Sequence, residues 1–302
     1  MATYVLFHDD SDGYASALAA YLKFGDEAKY LKVQYGQNFP DIPLDKNTDL
    51  FIVDFSYDKD ILEAVTEQVR FLIVIDHHDT AYQQLIDFPN KIYDQTKSGA
   101  VLTWEYFHPE LPVPDLFLIV EDRDLWKFNR EDSHAFEHGM KSSGRYNDLK
   151  FWKEVYESPE LLQEIISRGT IQYESIVKYI NSVVKDPSKY KLCTYRGLKC
   201  VIYNAVQYIS ELGNAFNERL DIDFSISYFF TNDGLIVFSL RGKDKKYHLG
   251  ELCLAMNSVV IQGEEVPVMK IKGGGHENAA GVKFDLDNGF KVLQSFYSQA
   301  VE

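Results

Sequence analysis

Three apolar runs in the first quarter of the chain end in the same way. YVLF stops at His8-Asp9-Asp10, LFIV at Asp54, and FLIVI at Asp76-His77-His78. A further strand-like stretch, KYLKVQYG, lies between the first two, and helical patterns fall near 13–24, 59–69 and 98–108. Near-continuous apolar strands alternating with helices indicate a parallel sheet covered on both faces. Such a sheet binds its ligands beyond the carboxyl ends of its strands. Here three strands deliver acids and histidines to that one edge, so the sequence predicts an α/β domain with a polar site there.

The first of these strand ends, HDDSDG (8–13), crowds like charges that repel and are costly to desolvate unless a cation or hydrogen bonds compensate. A helix cap accounts for one residue of the six, with Ser11 or Asp12 capping a helix that begins near Gly13. In an extended segment alternate residues share a side, which would turn His8, Asp10 and Asp12 to one pocket and Asp9 and Ser11 away. A further acidic group, Glu121-Asp122-Arg123-Asp124, closes the apolar run LFLIV. Oxygen-rich sets with imidazole suit Mn²⁺ or Mg²⁺, and the lack of cysteine among them argues against structural zinc. Two such ions sharing a carboxylate form the arrangement used for in-line phosphoryl displacement.

Residues 112–157 read as mostly helical. Trp104, Trp126 and Trp152 are expected in the core, with Trp126, beside the acidic group, alternatively bordering the cleft. A long helical pattern over 158–186 stops before Pro187 and connects two domains, with Gly169 as a weak point. Beyond it KLCTY, LKCVIYNA, FSISYFF and LIVFSLRG are β-rich, TNDGL (231–235) is a hairpin turn, and helices fit near 208–219 and 247–257. The string KIKGGGHENAAGVKF (270–284) offers glycine N–H groups to an anion, against the plainer reading of a flexible loop. Arg241, at a strand end in the basic stretch RGKDKK, suits bidentate phosphate binding.

Composition narrows the function. The formal net charge of -15, from 46 acids against 31 bases, disfavours a surface that gathers long nucleic acids, duplex above all. It leaves a small phosphate substrate open if metal and local basic groups reverse the field at the site. Three cysteines without CxxC spacing, no membrane-length apolar run and no signal-like start predict a cytoplasmic protein away from membranes.

Taken together, HDDSDG, VDFS, IDHHDT and GGGHENAAG resemble the motif series of the DHH phosphoesterase superfamily, in the subgroup with a DHHA1 C-terminal domain. The series runs in order from residue 8 to 281. The resemblance implies a DHH catalytic domain over 1–157, a connecting helix over 158–189 and a smaller α+β DHHA1-type substrate-binding domain over 190–302, with the active site in the cleft between domains. It implies two metal ions, manganese with magnesium as the alternative. His8 and Asp10 would bind one ion, Asp12 and His77 the other, and Asp54 would bridge them. Asp122 would complete the second set. One common family pattern has Thr-Gly after that aspartate; here Arg123-Asp124 follows, which leaves Asp124 as an alternative ligand and Arg123 as a phosphate or orienting group. Asp76 and His78 would orient a histidine or act on the phosphate. Arg241, Gly273, Gly274, Gly275 and His276 resemble the substrate-binding elements.

The family includes RecJ-type single-strand exonucleases, oligoribonucleases that also act on 3′-phosphoadenosine 5′-phosphate, and cyclic-dinucleotide phosphodiesterases. The sequence ends soon after the GGGH region, without the additional domain of RecJ-type enzymes, and its surface is acidic. The expectation is therefore a phosphodiesterase of the oligoribonuclease branch, acting on short RNA or small nucleotides, with the cyclic (di)nucleotide and 3′-phosphoadenosine 5′-phosphate activities as alternatives. A non-catalytic nucleotide-binding scaffold is disfavoured because the ligand set is complete. A homodimer remains open.

Overall fold

The computed structural model describes all residues except 1, 79–81, 84, 244–246, 276 and 300–302; His276, Lys245 and Lys246 thus lie outside the described residues. Strands β1 (Ala2–His8), β2 (Ala28–Val33), β3 (Thr48–Val53), β4 (Phe71–Asp76) and β5 (Lys91–Tyr93) form a sheet in the order β2-β1-β3-β4-β5. Every pairing in it is parallel. Side chains alternate along each strand, and both faces are buried. Val5, Phe7, Phe51, Val53, Ile73 and Ile75 join one core cluster with helices α1 (Ser11–Phe24), α3 (Gly99–Phe107), α4 (Asp115–Asp124) and α6 (Leu149–Glu157). Tyr4, Leu6, Leu50, Ile52, Leu72 and Val74 join a second with α2 (Lys59–Thr66). This two-sided burial explains the unbroken apolar runs.

The first helix starts earlier than the sequence suggests. Its cap is Asp10, extended in backbone (φ -144°, ψ -174°), whose carboxylate accepts from Gly13 N at 2.9 Å. Ser11 is not the cap: it donates to Glu137 of α5 (Asp132–Ser142) and lies 2.8 Å from the Tyr146 hydroxyl. Asp12 consequently sits in the first turn of α1, not in an extended segment.

Helix α7 (Pro159–Val184) runs through Gly169 unbroken. A Cβ there would lie 1.7 Å from the Ala135 carbonyl oxygen of α5, so the residue that looked like a breaker is a close helix crossing. The chain packs as two units, 1–174 and 175–302, dividing inside this helix.

In the second unit β6 (Tyr190–Tyr195), β7 (Leu198–Asn204), β8 (Phe224–Phe230), β9 (Leu235–Gly242), β12 (Lys270–Gly275) and β13 (Ala279–Asp285) form a mixed sheet in the order β12-β13-β9-β8-β7-β6. The TNDGL turn joins β8 to β9 with Gly234 at φ 79°. Ile176, Ile180, Val183 and Val184 of α7 and helix α8 (Ile209–Arg219) cover one face. Helices α9 (Leu249–Leu254) and α10 (Leu286–Tyr297) cover the other, with the short ribbon β10–β11 (Ser258–Ile261, Glu264–Pro267) beside them. The glycine-rich string is therefore not a loop: β12 is an edge strand paired antiparallel with β13, with Gly274 and Gly275 at φ 148° and 139°. Among the described residues no helix is long and apolar enough to cross a membrane.

Candidate metal centre

Because β1, β3 and β4 are neighbours running the same way, their carboxyl ends bring His8, Asp54 and Asp76-His77-His78 to one edge. Asp54 follows β3 with a left-handed backbone (φ 53°), a conformation costing a non-glycine residue about 1–3 kcal/mol and common at functional sites. Its side chain is wholly buried, and neither carboxylate oxygen has a hydrogen-bond partner. Oδ1 lies 3.3 Å from His77 Nε2 and Oδ2 3.9 Å from His8 Nδ1. One carboxylate thus faces two separate histidines.

Around those oxygens the donor atoms gather into sets in which each atom lies within 4.8 Å of the others: His8, Asp10 and Asp54; Asp12, His77 and Asp124; and Asp54 with Asp76, His77 and His78. Asp10 serves twice, capping α1 through Oδ1 while Oδ2 stands 2.6 Å from His8 Nδ1. Burial pushes its carboxyl up, but the His8 bond and charge override this and bring it to about 2. Asp12 accepts from Gly99 N at 2.6 Å and Ala100 N at 3.0 Å, so the positive end of α3 fixes this carboxylate. Gly99 must be glycine, since a Cβ there would sit 2.5 Å from Asp54 Cβ.

The two adjacent histidines are tuned in opposite directions. Asp76 Oδ1 accepts from the backbone N–H of His77 (2.7 Å) and of His78 (3.2 Å) and from His78 Nδ1 (2.7 Å). Burial lowers both rings' affinity for a proton; for His78 the Asp76 hydrogen bond and charge win, raising it to about 9. For His77 burial prevails and its pKa falls, favouring the neutral ring that ligates metals. Burial, followed by the charges of Asp12 and Asp10, raises the Asp54 carboxyl well above the usual range, and the same neighbouring charges raise Asp124. A cluster of oxygen donors and imidazole that repels itself, with its central carboxylate unpartnered, fits a hard divalent cation.

The acidic group after LFLIV needs a correction. Asp122 does not join the cluster. It accepts from Asn129 N (2.9 Å), Arg130 N (3.2 Å) and the Ser133 hydroxyl, holding the segment after α4 in place, where Trp126 and Phe128 take left-handed backbone. Asp124 Oδ2 instead lies 3.4 Å from His77 Nε2. Two residues apart on a helix point to nearly opposite sides, so only one of the two aspartates can face His77. Arg123 sits 3.8 Å from Glu137, and its buried Nε has no hydrogen-bond partner. With Asp10, Asp12, Asp124, Lys141 and Tyr146 it lines a cavity of about 240 Å³.

Sequence reasoning missed Tyr35. It follows β2, the neighbour of β1, and its ring centroid lies 5.4 Å from His8 and 5.9 Å from His78. Its place at a strand's carboxyl end, in VQYGQ, was the available signal.

In the second unit Arg241, the penultimate residue of β9, lies opposite Ala279, and Gly275 pairs with Ala280. Arg241 is anchored on Ser210 Oγ (3.2 and 3.0 Å) and donates to Leu240 O (2.8 Å). Gly273, Gly274 and Gly275 line a groove of about 360 Å³ with Lys272 and Lys283.

No family model matches the chain. Uncharacterized protein R106 of Acanthamoeba polyphaga mimivirus is 28% identical over 302 residues, covering 93% of this chain and 67% of that protein. Among solved structures, the pGpG-specific phosphodiesterase PggH of Vibrio cholerae is 15% identical with a TM-score of 0.55, covering 97% of each chain. RecJ of Thermus thermophilus, solved in complex with Mn²⁺, is 11% identical with a TM-score of 0.54, covering 97% of this chain and 51% of RecJ. This chain has the α/β fold that PggH and RecJ share: a parallel five-stranded sheet followed by a second, mixed sheet.

Proposed function

We propose that the chain is a metal-dependent phosphodiesterase of the DHH superfamily that hydrolyses short oligoribonucleotides or small nucleotides to mononucleotides. The observation that carries this reading is Asp54, whose two buried, unpartnered oxygens each face a different set of donors. His8 and Asp10 would hold one ion and Asp12, His77 and Asp124 the other, with Asp54 shared. Bound Mn²⁺, or Mg²⁺ in its place, would activate water and offset charge on the phosphate. His78, kept cationic by Asp76, acts through Nε2 as a donor to a phosphate oxygen. Arg123, beside the centre, contacts the substrate's phosphate. In the second unit, Arg241 and the Gly273–Gly275 strand form an anion-binding element of their own.

The fold shared with PggH and RecJ supports a phosphodiester substrate, and the charge of -15 supports a short one. The test is Mn²⁺- or Mg²⁺-dependent turnover of 5′-labelled dinucleotides beside longer RNA and DNA, cyclic dinucleotides and 3′-phosphoadenosine 5′-phosphate, ranked by kcat/KM. Di- to tetranucleotides are expected to lead, and Asp54→Ala to abolish turnover. A leading cyclic dinucleotide or 3′-phosphoadenosine 5′-phosphate selects the alternative substrate. Absence of turnover with every phosphoester overturns the enzyme reading.

A further inference from the structure

The phosphodiesterase reading leaves Tyr35 without a role, although it touches the metal centre from outside the ligand set. Its ring contacts those of His8 and His78, one a candidate ligand and the other a candidate phosphate donor. A scissile phosphate at that centre would thus lie about one nucleotide sugar away from the tyrosine ring. Tyr35 is 46% exposed, so part of the ring remains open.

The ring is also backed by other aromatic rings. It packs on Phe55 at 4.5 Å with an interplanar angle of 35°. Phe55 in turn meets Tyr57 at 4.9 Å, and Tyr57 meets Phe39 at 5.1 Å. Phe55 and Tyr57 are buried, so the exposed ring rests on a row of core aromatics. A rigid, amphipathic ring offers contact area at little entropic cost.

We propose that Tyr35 is a stacking platform for a nucleobase of the substrate, the base of the nucleotide whose phosphate lies on the His8 side of the centre. This rests on the phosphodiesterase reading and deepens it, because it requires a substrate that carries a base next to the scissile phosphate. Stacking tolerates every base, since each has a π-face. The platform therefore favours nucleotides over base-less phosphodiesters without selecting among sequences.

The competing account is that Tyr35 only shields Phe55 from water. Leucine at this position keeps that cover and has no π-face, so Tyr35→Leu separates the two, with Tyr35→Phe as the conservative variant. The probe is a ribodinucleotide containing 2-aminopurine, titrated with Ca²⁺ in place of Mn²⁺ to slow turnover. Stacking quenches its fluorescence. Wild type and Tyr35→Phe are expected to quench it, whereas Tyr35→Leu binds about tenfold more weakly and quenches little. In turnover assays, the kcat/KM ratio of a dinucleotide to the same compound lacking one base should fall about tenfold in Tyr35→Leu, with KM carrying the change. Equal quenching by the folded Tyr35→Leu protein overturns the platform. If wild type quenches the probe but cleaves nothing, the enzyme reading fails while the platform stands, so the two failures are distinguishable.

Discussion

Asp54 Oδ1 and His77 Nε2 stand 3.3 Å apart, both buried and neither hydrogen-bonded. A carboxylate and an imidazole this close would ordinarily settle as an ion pair. Here burial raises the carboxyl and lowers the ring, so both groups are driven away from their charged forms. A cation placed at both atoms would resolve the conflict that proximity alone does not.

Replacing Asp54 with Asn keeps the volume and removes one charge from a set that includes Asp10, Asp12 and Asp124. In EDTA, Asp54→Asn should melt no lower than wild type, because without a bound cation the buried carboxyl only adds repulsion and desolvation cost. Added Mn²⁺ should raise the wild-type Tm through preferential binding to the folded state, and raise the variant's Tm far less. Thermal unfolding with and without Mn²⁺ measures both. A full Mn²⁺-induced rise in the variant would remove Asp54 from the ligand set.

The two aspartates at the end of α4 should separate cleanly. Asp122→Asn weakens three hydrogen bonds around the segment after α4, at an expected cost of about 1–3 kcal/mol for a disrupted buried network. Asp124→Asn removes a charge beside His77 and Asp12 without breaking such a network. It should leave the metal-free Tm near wild type and weaken Mn²⁺ binding at least tenfold. Calorimetric Mn²⁺ titration and urea unfolding of the two variants give the comparison; a reversed pattern would return the ligand role to Asp122.

The parts of this site that were legible in the sequence are those where chemistry and topology coincide. Parallel strands must place their polar ends together, so His8, Asp54 and Asp76-His77-His78 were identifiable from where apolar runs stopped. What escaped depended on a few degrees of backbone. Asp10 became the cap because α1 begins two residues early, which put Asp12 on a helix. Asp122 and Asp124 differ only in helical phase, which the spacing of an acidic cluster does not reveal. Tyr35 carries no charge and sits after a strand whose own end is not acidic. The glycine string pairs as an edge strand with β13, which follows it after three residues; glycine's weak strand preference hid that hairpin.

Gly99 links the helix that anchors Asp12 to the carboxylate of Asp54. A methyl group there would meet Asp54 Cβ at 2.5 Å and Oδ1 at 2.7 Å, and neither neighbour can yield without moving the centre. Gly99→Ala should destabilise the fold by about 1–3 kcal/mol, as overpacking does, and should also reduce the Mn²⁺-dependent rise in Tm. The coupled loss is the informative outcome. A variant that loses stability but keeps the full metal response would show that α3 can shift without disturbing Asp54.

His134 gives the fold an acid-sensitive point. Its ring is stacked between Phe128 (4.1 Å, 13°) and Tyr173 (4.3 Å, 11°). Burial first, and the nearby Arg123 charge second, lower its pKa from the ordinary 6.5 to about 4. The folded value lies below the unfolded one, so this stabilisation is complete above about pH 6.5 and is lost as pH falls toward 4. Between pH 7 and pH 5 the loss amounts to about 1 kcal/mol, allowing for partial exposure of the ring. His134→Phe preserves the stack and cannot charge. Urea unfolding at the two pH values should find the variant close to wild type at pH 7 and about 1 kcal/mol more stable than wild type at pH 5; an unchanged difference between the proteins would show that His134 takes up its proton as readily in the folded state as in the unfolded one.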